Sequence, residues 1–232
     1  MSASSDSQTE RTSAELACAA VHETLGVLPI LRFPKDVPFL DGLYFFYENG
    51  ETSAHGPNGR VVRVGNHPRS EGGLRRRLQN HYSGRKNGSV FRKLLGGALL
   101  RKREPSDPCL SPGPGKGHWE KQGTKPCVKC SPLEEEVSKL LRCSFQFRCV
   151  MVLDRAERNQ MEEALVATLA ACPVCNPSTT WLGLHAYSEA VRSSGLWNSE
   201  FVGHRTISGT QLKRFQQLVR VSTGLSAEGA RR

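Results

Sequence analysis

Along the first third of the chain the apolar positions come in short bursts cut by turn residues. "GLYFFYENG" at residues 42–50 and "GRVVRVG" at 59–65 are rich in β-branched and aromatic residues. The segment between them, "ETSAHGPN", is built of turn formers, so the two bursts predict an antiparallel hairpin with an extended tip. The period then changes. In "EGGLRRRLQNHY", Leu74 and Leu78 stand one helical turn apart, and a second helix is predicted over "SVFRKLLGGALLRKR". A proline- and glycine-rich stretch, residues 104–132, predicts a long surface loop or insertion. Beyond it "LEEEVSKLLR" reads as a helix. In "CSFQFRCVMVL", Phe145, Phe147, Cys149 and Met151 alternate on one face of a third strand. A helix follows over residues 155–171, and the last amphipathic helix carries Leu212, Phe215 and Val219.

Upstream, "AELACAAVHETLG" is helical in pattern, and the three prolines of "LPILRFPKDVPFL" make an extended lead-in. The order of elements predicts an α+β fold, a small three-stranded antiparallel sheet flanked by helices, with a loop insertion and a helical C-terminal tail. The expected organisation is a disordered N-terminus and lead-in (1–37), a main domain (38–180) holding the insertion, and a helical extension (181–232) packed on it.

Charge adds a partner class. The chain of 232 residues has a formal net charge of +10, and residues 60–103 hold thirteen basic residues against one acidic residue, Glu71. A cationic segment of this kind is the electrostatic footprint of a phosphate backbone, though phosphate contacts do not tell DNA from RNA. No apolar run is long enough to span a bilayer, and the polar start "MSASSDSQTERTSAE" has no apolar leader, so a cytoplasmic protein is expected. Among eight cysteines, "CVKC" and "CPVC" form two C-x-x-C pairs. Cys127, Cys130, Cys172 and Cys175 together would suit a tetrahedral Zn²⁺. The alternative is reduced thiols packed in loops.

Two polar positions break the helical patterns. Glu162 lies on the apolar stripe of Leu165, Val166 and Leu169, where a carboxylate needs a metal or an arginine as partner. Arg77 and His81 share the side of their helix that carries Leu74 and Leu78 and could present two donors to one phosphate.

With the "GLY" of Gly42-Leu43-Tyr44, the "RVG" of Arg63-Val64-Gly65, the "LRRRL" around Arg77 and the "EEALV" beginning at Glu162, the chain resembles the GIY-YIG nuclease superfamily. The closing "WLG" and "SGLWN" look like its restriction-endonuclease branch, and the resemblance covers roughly residues 38–200. It implies a Mg²⁺-dependent endonuclease acting on double-stranded DNA, with a homodimer expected where both strands are cut. In that scheme Glu162 ligates Mg²⁺, Tyr44 activates water, Arg77 and His81 stabilise the phosphate, and Asn176 is a further candidate. One departure stands out. Arg63 occupies the place of the family's second tyrosine; it can bind a phosphate but cannot act as a phenol. A fold that binds DNA without cutting it is therefore the alternative.

Overall fold

Strand β1 (Gly42–Thr52) is buried continuously from Gly42 to Tyr47, as expected of a strand covered on both faces. It pairs antiparallel with β2 (Gly59–Gly65) on one side and β3 (Phe145–Met151) on the other, giving the order β2-β1-β3. The structure, a computed structural model, describes residues 3–68, 73–107, 109–110, 119 and 131–229. The α+β class and the three-stranded antiparallel sheet match the expectation from sequence.

The period of two along β1 sorts its side chains into two cores. Tyr44 and Phe46 enter one, with helices α2 (Leu74–Ser83), α3 (Val90–Arg103) and α4 (Ser131–Ser144). Leu43, Phe45 and Tyr47 enter the other, with α1 (Ala3–Gly26), α5 (Arg155–Ala170) and α7 (Gly209–Gly229). Phe215 of α7 meets Phe45 ring to ring at 5.8 Å. A sheet of three strands has only one interior strand, so both outer edges need cover. On β3, Leu31 of the lead-in exchanges two backbone hydrogen bonds with Phe147. On β2, Trp197 N–H donates to Val62 C=O at 2.6 Å. The Asn198 side chain then pairs with both backbone groups of Val64, at 3.1 and 2.9 Å, acting as one more rung of the ladder. A short helix, α6 (Glu189–Ser194), leads into that cover.

Two expectations change. The polar start, expected to be disordered, lies in α1 from Ala3 onward. The later part of this helix is held by burial of Cys18, Val21 and Leu25 against the second core. The insertion is not wholly a surface loop, because Trp119 is fully buried against α3 and donates its indole N–H to Lys93 C=O at 2.8 Å. Its ring lies where a side chain on Gly96 would stand, so the glycine of that helix is a docking groove. The basic segment is also less uniform than its composition suggests. Arg60 is buried against Glu51 at 2.6 Å and Arg92 against Glu134 at 2.8 Å, so both serve packing. Arg75, Arg76, Arg85 and Lys102 are exposed and remain as the cationic surface, while the exposed Arg103 pairs with Glu136. No helix among the described residues is long and apolar enough to cross a membrane.

Candidate active site

Where β1 begins and β2 ends, only glycine fits. A Cβ on Gly42 would lie 2.1 Å from the Val150 carbonyl oxygen of β3. One on Gly65 would lie 2.2 Å from the hydroxyl oxygen of Tyr44 and 2.3 Å from its Cζ. Tyr44 and Gly65 are cross-strand partners, so the phenol lies across the glycine opposite it. Phe46 and Arg63 are the next such pair on this face, which brings Arg63 beside Tyr44.

The site assembles around that face as a pocket of about 350 Å³. Tyr44, Arg63, Arg77 and Glu162 all line it, together with Asn66, Asn159, Asn198 and Glu200. Arg77 comes from α2, whose phase exposes Arg75 and Arg76 and turns Arg77 inward. Glu162 comes from α5, started by Asp154, whose carboxylate accepts the Glu157 N–H at 2.7 Å. The pocket therefore draws Tyr44, Arg63 and Arg77 from one side of the sheet and Glu162 from the helical layer on the other.

Burial sets the electrostatics. It pushes the Glu162 carboxyl up to about 7, while Arg63, Arg77 and the Asn66 N–H pull it down and the neighbouring Glu200 adds to the rise. Arg63 is depressed by its own burial and by Arg77, and Tyr44 and Glu162 act in the opposite direction. Its guanidinium rests on the Phe91 ring at 5.0 Å and donates to Trp197 C=O. Arg77 donates one N–H to Gly88 C=O at 3.1 Å. The Nε of Arg63 and the Nε of Arg77 are both buried without a hydrogen-bond partner among the described residues. Two guanidinium groups on one pocket wall are suited to an anion with several oxygens.

His81 stands elsewhere than expected. It is fully buried behind Tyr44 and does not line the pocket. Its Nε2 is 2.8 Å from the Tyr44 hydroxyl and its Nδ1 is 2.7 Å from Ser89 Oγ. Burial, followed by Arg77, Arg63 and Arg92, holds the imidazole well below its ordinary range, so it is neutral. Ser89 caps α3, its oxygen accepting the Arg92 N–H at 3.1 Å. A neutral imidazole protonated at Nε2 satisfies the whole chain of donors: Ser89 donates to Nδ1, and Nε2–H donates to the phenol oxygen.

Asn176 also stands apart. Its side chain donates to Pro173 C=O at 3.3 Å and does not reach the pocket. Asn198, Asn66 and Asn159 do reach it, with Asn66 Nδ2 donating to Asn159 Oδ1 at 2.8 Å. The "SGLWN" segment already contained Asn198. Its role was hidden because it depends on pairing with the edge of β2, a contact across more than a hundred residues.

The cysteine pairs divide. Cys127 and Cys130 lie outside the described residues. Cys172 and Cys175 do form part of a cluster, and their neighbours there are Cys18 of α1 and His55 of the β1–β2 loop. Neither residue has a spacing that announces it. Comparison with known proteins gives one result: the family model of the GIY-YIG domain matches residues 31–224. No curated protein and no solved structure gives a match.

Proposed function

Because the chain belongs to the GIY-YIG family, whose domain is that of nucleases, we propose that this pocket hydrolyses phosphodiester bonds of double-stranded DNA as a Mg²⁺-dependent, restriction-like endonuclease. The observation that carries this reading is the convergence of Tyr44, Arg63 and Arg77 on one pocket with Glu162, the only acidic side chain that α5 contributes to its wall. Guanidinium groups pair with phosphate oxygens in a planar fork.

The residues also fit a hard divalent cation. Glu162 is a carboxyl group opening onto a water-accessible pocket, and burial pushes it up to about 7 despite Arg63 and Arg77, so a cation beside it would be favoured. With one protein carboxylate the ion would keep several waters, as Mg²⁺ prefers. When bound, the ion supplies Lewis-acid charge neutralisation at the phosphate. The remaining chemistry belongs to the chain. His81, within hydrogen-bond reach of the Tyr44 oxygen, and the adjacent Arg63 hold the phenol in place, where it can orient an attacking water. Arg77 and Arg63 stabilise the charge that builds on the phosphoryl oxygens. Arg63 thus replaces the family's second phenol with a cation. The exposed Arg75, Arg76, Arg85 and Lys102 suit contacts to the DNA backbone. Two copies acting on opposite strands would make the double-strand break.

Incubating a diverse unmethylated duplex library with the protein and Mg²⁺ tests this reading. Cleavage that requires Mg²⁺ and is lost in Glu162→Ala supports it. An intact library, or cleavage confined to RNA, overturns it.

A further inference from the structure

Three segments with no sequence proximity bring soft metal ligands to one point: Cys18 from α1, His55 from the β1–β2 loop, and Cys172 with Cys175 just beyond α5. Their ligand atoms all lie within 4.8 Å of one another. In a tetrahedral site with Zn–S bonds of about 2.3 Å, neighbouring donors stand roughly 3.7 Å apart, so the cluster is already near coordination distances. His55 Nε2 and Cys172 Sγ are 3.3 Å apart. The three cysteines are buried and form no disulfide, inside the apolar layer built by α1, α5 and α7.

The surroundings suit metal-bound thiolates more than packed thiols. Ser53 Oγ stands 3.6 Å from Cys175 Sγ, and the buried His22 places Nε2 4.0 Å from the same sulfur. Polar groups gathered round one sulfur are what a charged thiolate recruits around a metal. We propose that Cys18, His55, Cys172 and Cys175 bind a structural Zn²⁺ that clamps α1 and the hairpin tip to the end of α5. Three sulfurs and one imidazole suit zinc and exclude the hard ions Mg²⁺ and Ca²⁺ as natural occupants. A set with no remaining position for water is a closed, structural site. None of the four residues lines the pocket of Tyr44 and Glu162. The clamp therefore stands independently of the nuclease reading and holds the far end of the helix that carries Glu162.

The test uses the full chain, purified under reducing conditions without added metal. Elemental analysis is expected to find about one zinc per chain, and X-ray absorption at the zinc edge a shell of three sulfurs and one nitrogen. Cys18→Ser and His55→Ala should lose most of the metal, His55→Cys should keep it, and the double variant Cys127→Ser/Cys130→Ser should also keep it. Wild-type protein without zinc, with iron in its place, or with a four-sulfur shell would overturn the assignment. So would metal that survives Cys18→Ser but is lost in the Cys127/Cys130 double variant. The absorption measurement needs no variant, so a substitution that fails to fold does not shelter the proposal.

Discussion

Adding a single methyl group at Gly65 tests the geometry of the site without removing any polar atom. The alanine Cβ would lie 2.2 Å from the Tyr44 hydroxyl oxygen and 2.6 Å from Cε2, where ordinary contact begins near 3.4 Å. The ring must therefore retreat by about 1 Å, and it is nearly fully buried, with the His81 ring 5.3 Å away. A shift of that size stretches the 2.8 Å bond to His81 Nε2 to its limit or beyond. Losing that bond costs about 1 kcal/mol, and overpacking adds about 1–3 kcal/mol, so Gly65→Ala should destabilise the fold by roughly 2–4 kcal/mol. Misplacing a catalytic group by about 1 Å costs on the order of 100-fold in rate. Single-turnover cleavage at saturating protein, run at a temperature where urea titration shows both proteins folded, measures the second effect. The substitution acts through the phenol, so adding it to Tyr44→Ala should cost no further activity. Wild-type cleavage by folded Gly65→Ala would refute this account, and so would an equal loss on both backgrounds.

Glu48 accepts from the indoles of Trp181 and Trp197 at 2.9 and 3.1 Å, and burial, against those two bonds, pushes its carboxyl up to about 7. A raised carboxyl stabilises the fold below the unfolded value near 4.5 and loses that contribution as pH climbs through about 7. Relative to Glu48→Gln, wild type should lose up to about 3 kcal/mol between pH 4.5 and 8, read by urea unfolding; a constant difference would contradict the assignment. Arg92→Ala should cost about 3–5 kcal/mol, because it strands Glu134 and removes the 2.9 Å bond to His81 C=O. Chemical denaturation measures that cost, and a loss below about 1 kcal/mol would show the pair to be dispensable. Tyr44→Phe should keep the ring but lower cleavage about 100-fold or more, and a rate near wild type would remove the phenol from the chemistry.

Local periodicity made the sheet, α2, α3 and α5 legible, because each hides an apolar set of strict period. The inward turn of Arg77 and Glu162 was legible for the same reason: each sits on a stripe whose other members are buried. What the pattern could not show was distance. His81 shares the stripe of Leu78, yet the sequence does not say whether that side of α2 meets phosphate or the back of Tyr44. Cys18 and His55 carry no paired spacing, and only the folding of α1 and the hairpin tip onto the end of α5 brings them to Cys172 and Cys175. A faint signal existed in Cys18 and His22, one helical turn apart on α1. Buried Arg60 and Arg92 show the converse error, since a count of charges cannot tell surface cations from those consumed inside the fold.

The division of the pocket between two separately packed cores gives the proposed nuclease an interlock. Tyr44, Arg63 and Arg77 emerge first during synthesis, and the layer that positions Glu162 is completed only when α7 docks. Because Arg63 itself donates to the late residue Trp197, both halves of the pocket wait on the C-terminal part of the chain. The proposed cutting would thereby depend on a helix, α7, that contributes nothing to the pocket wall itself.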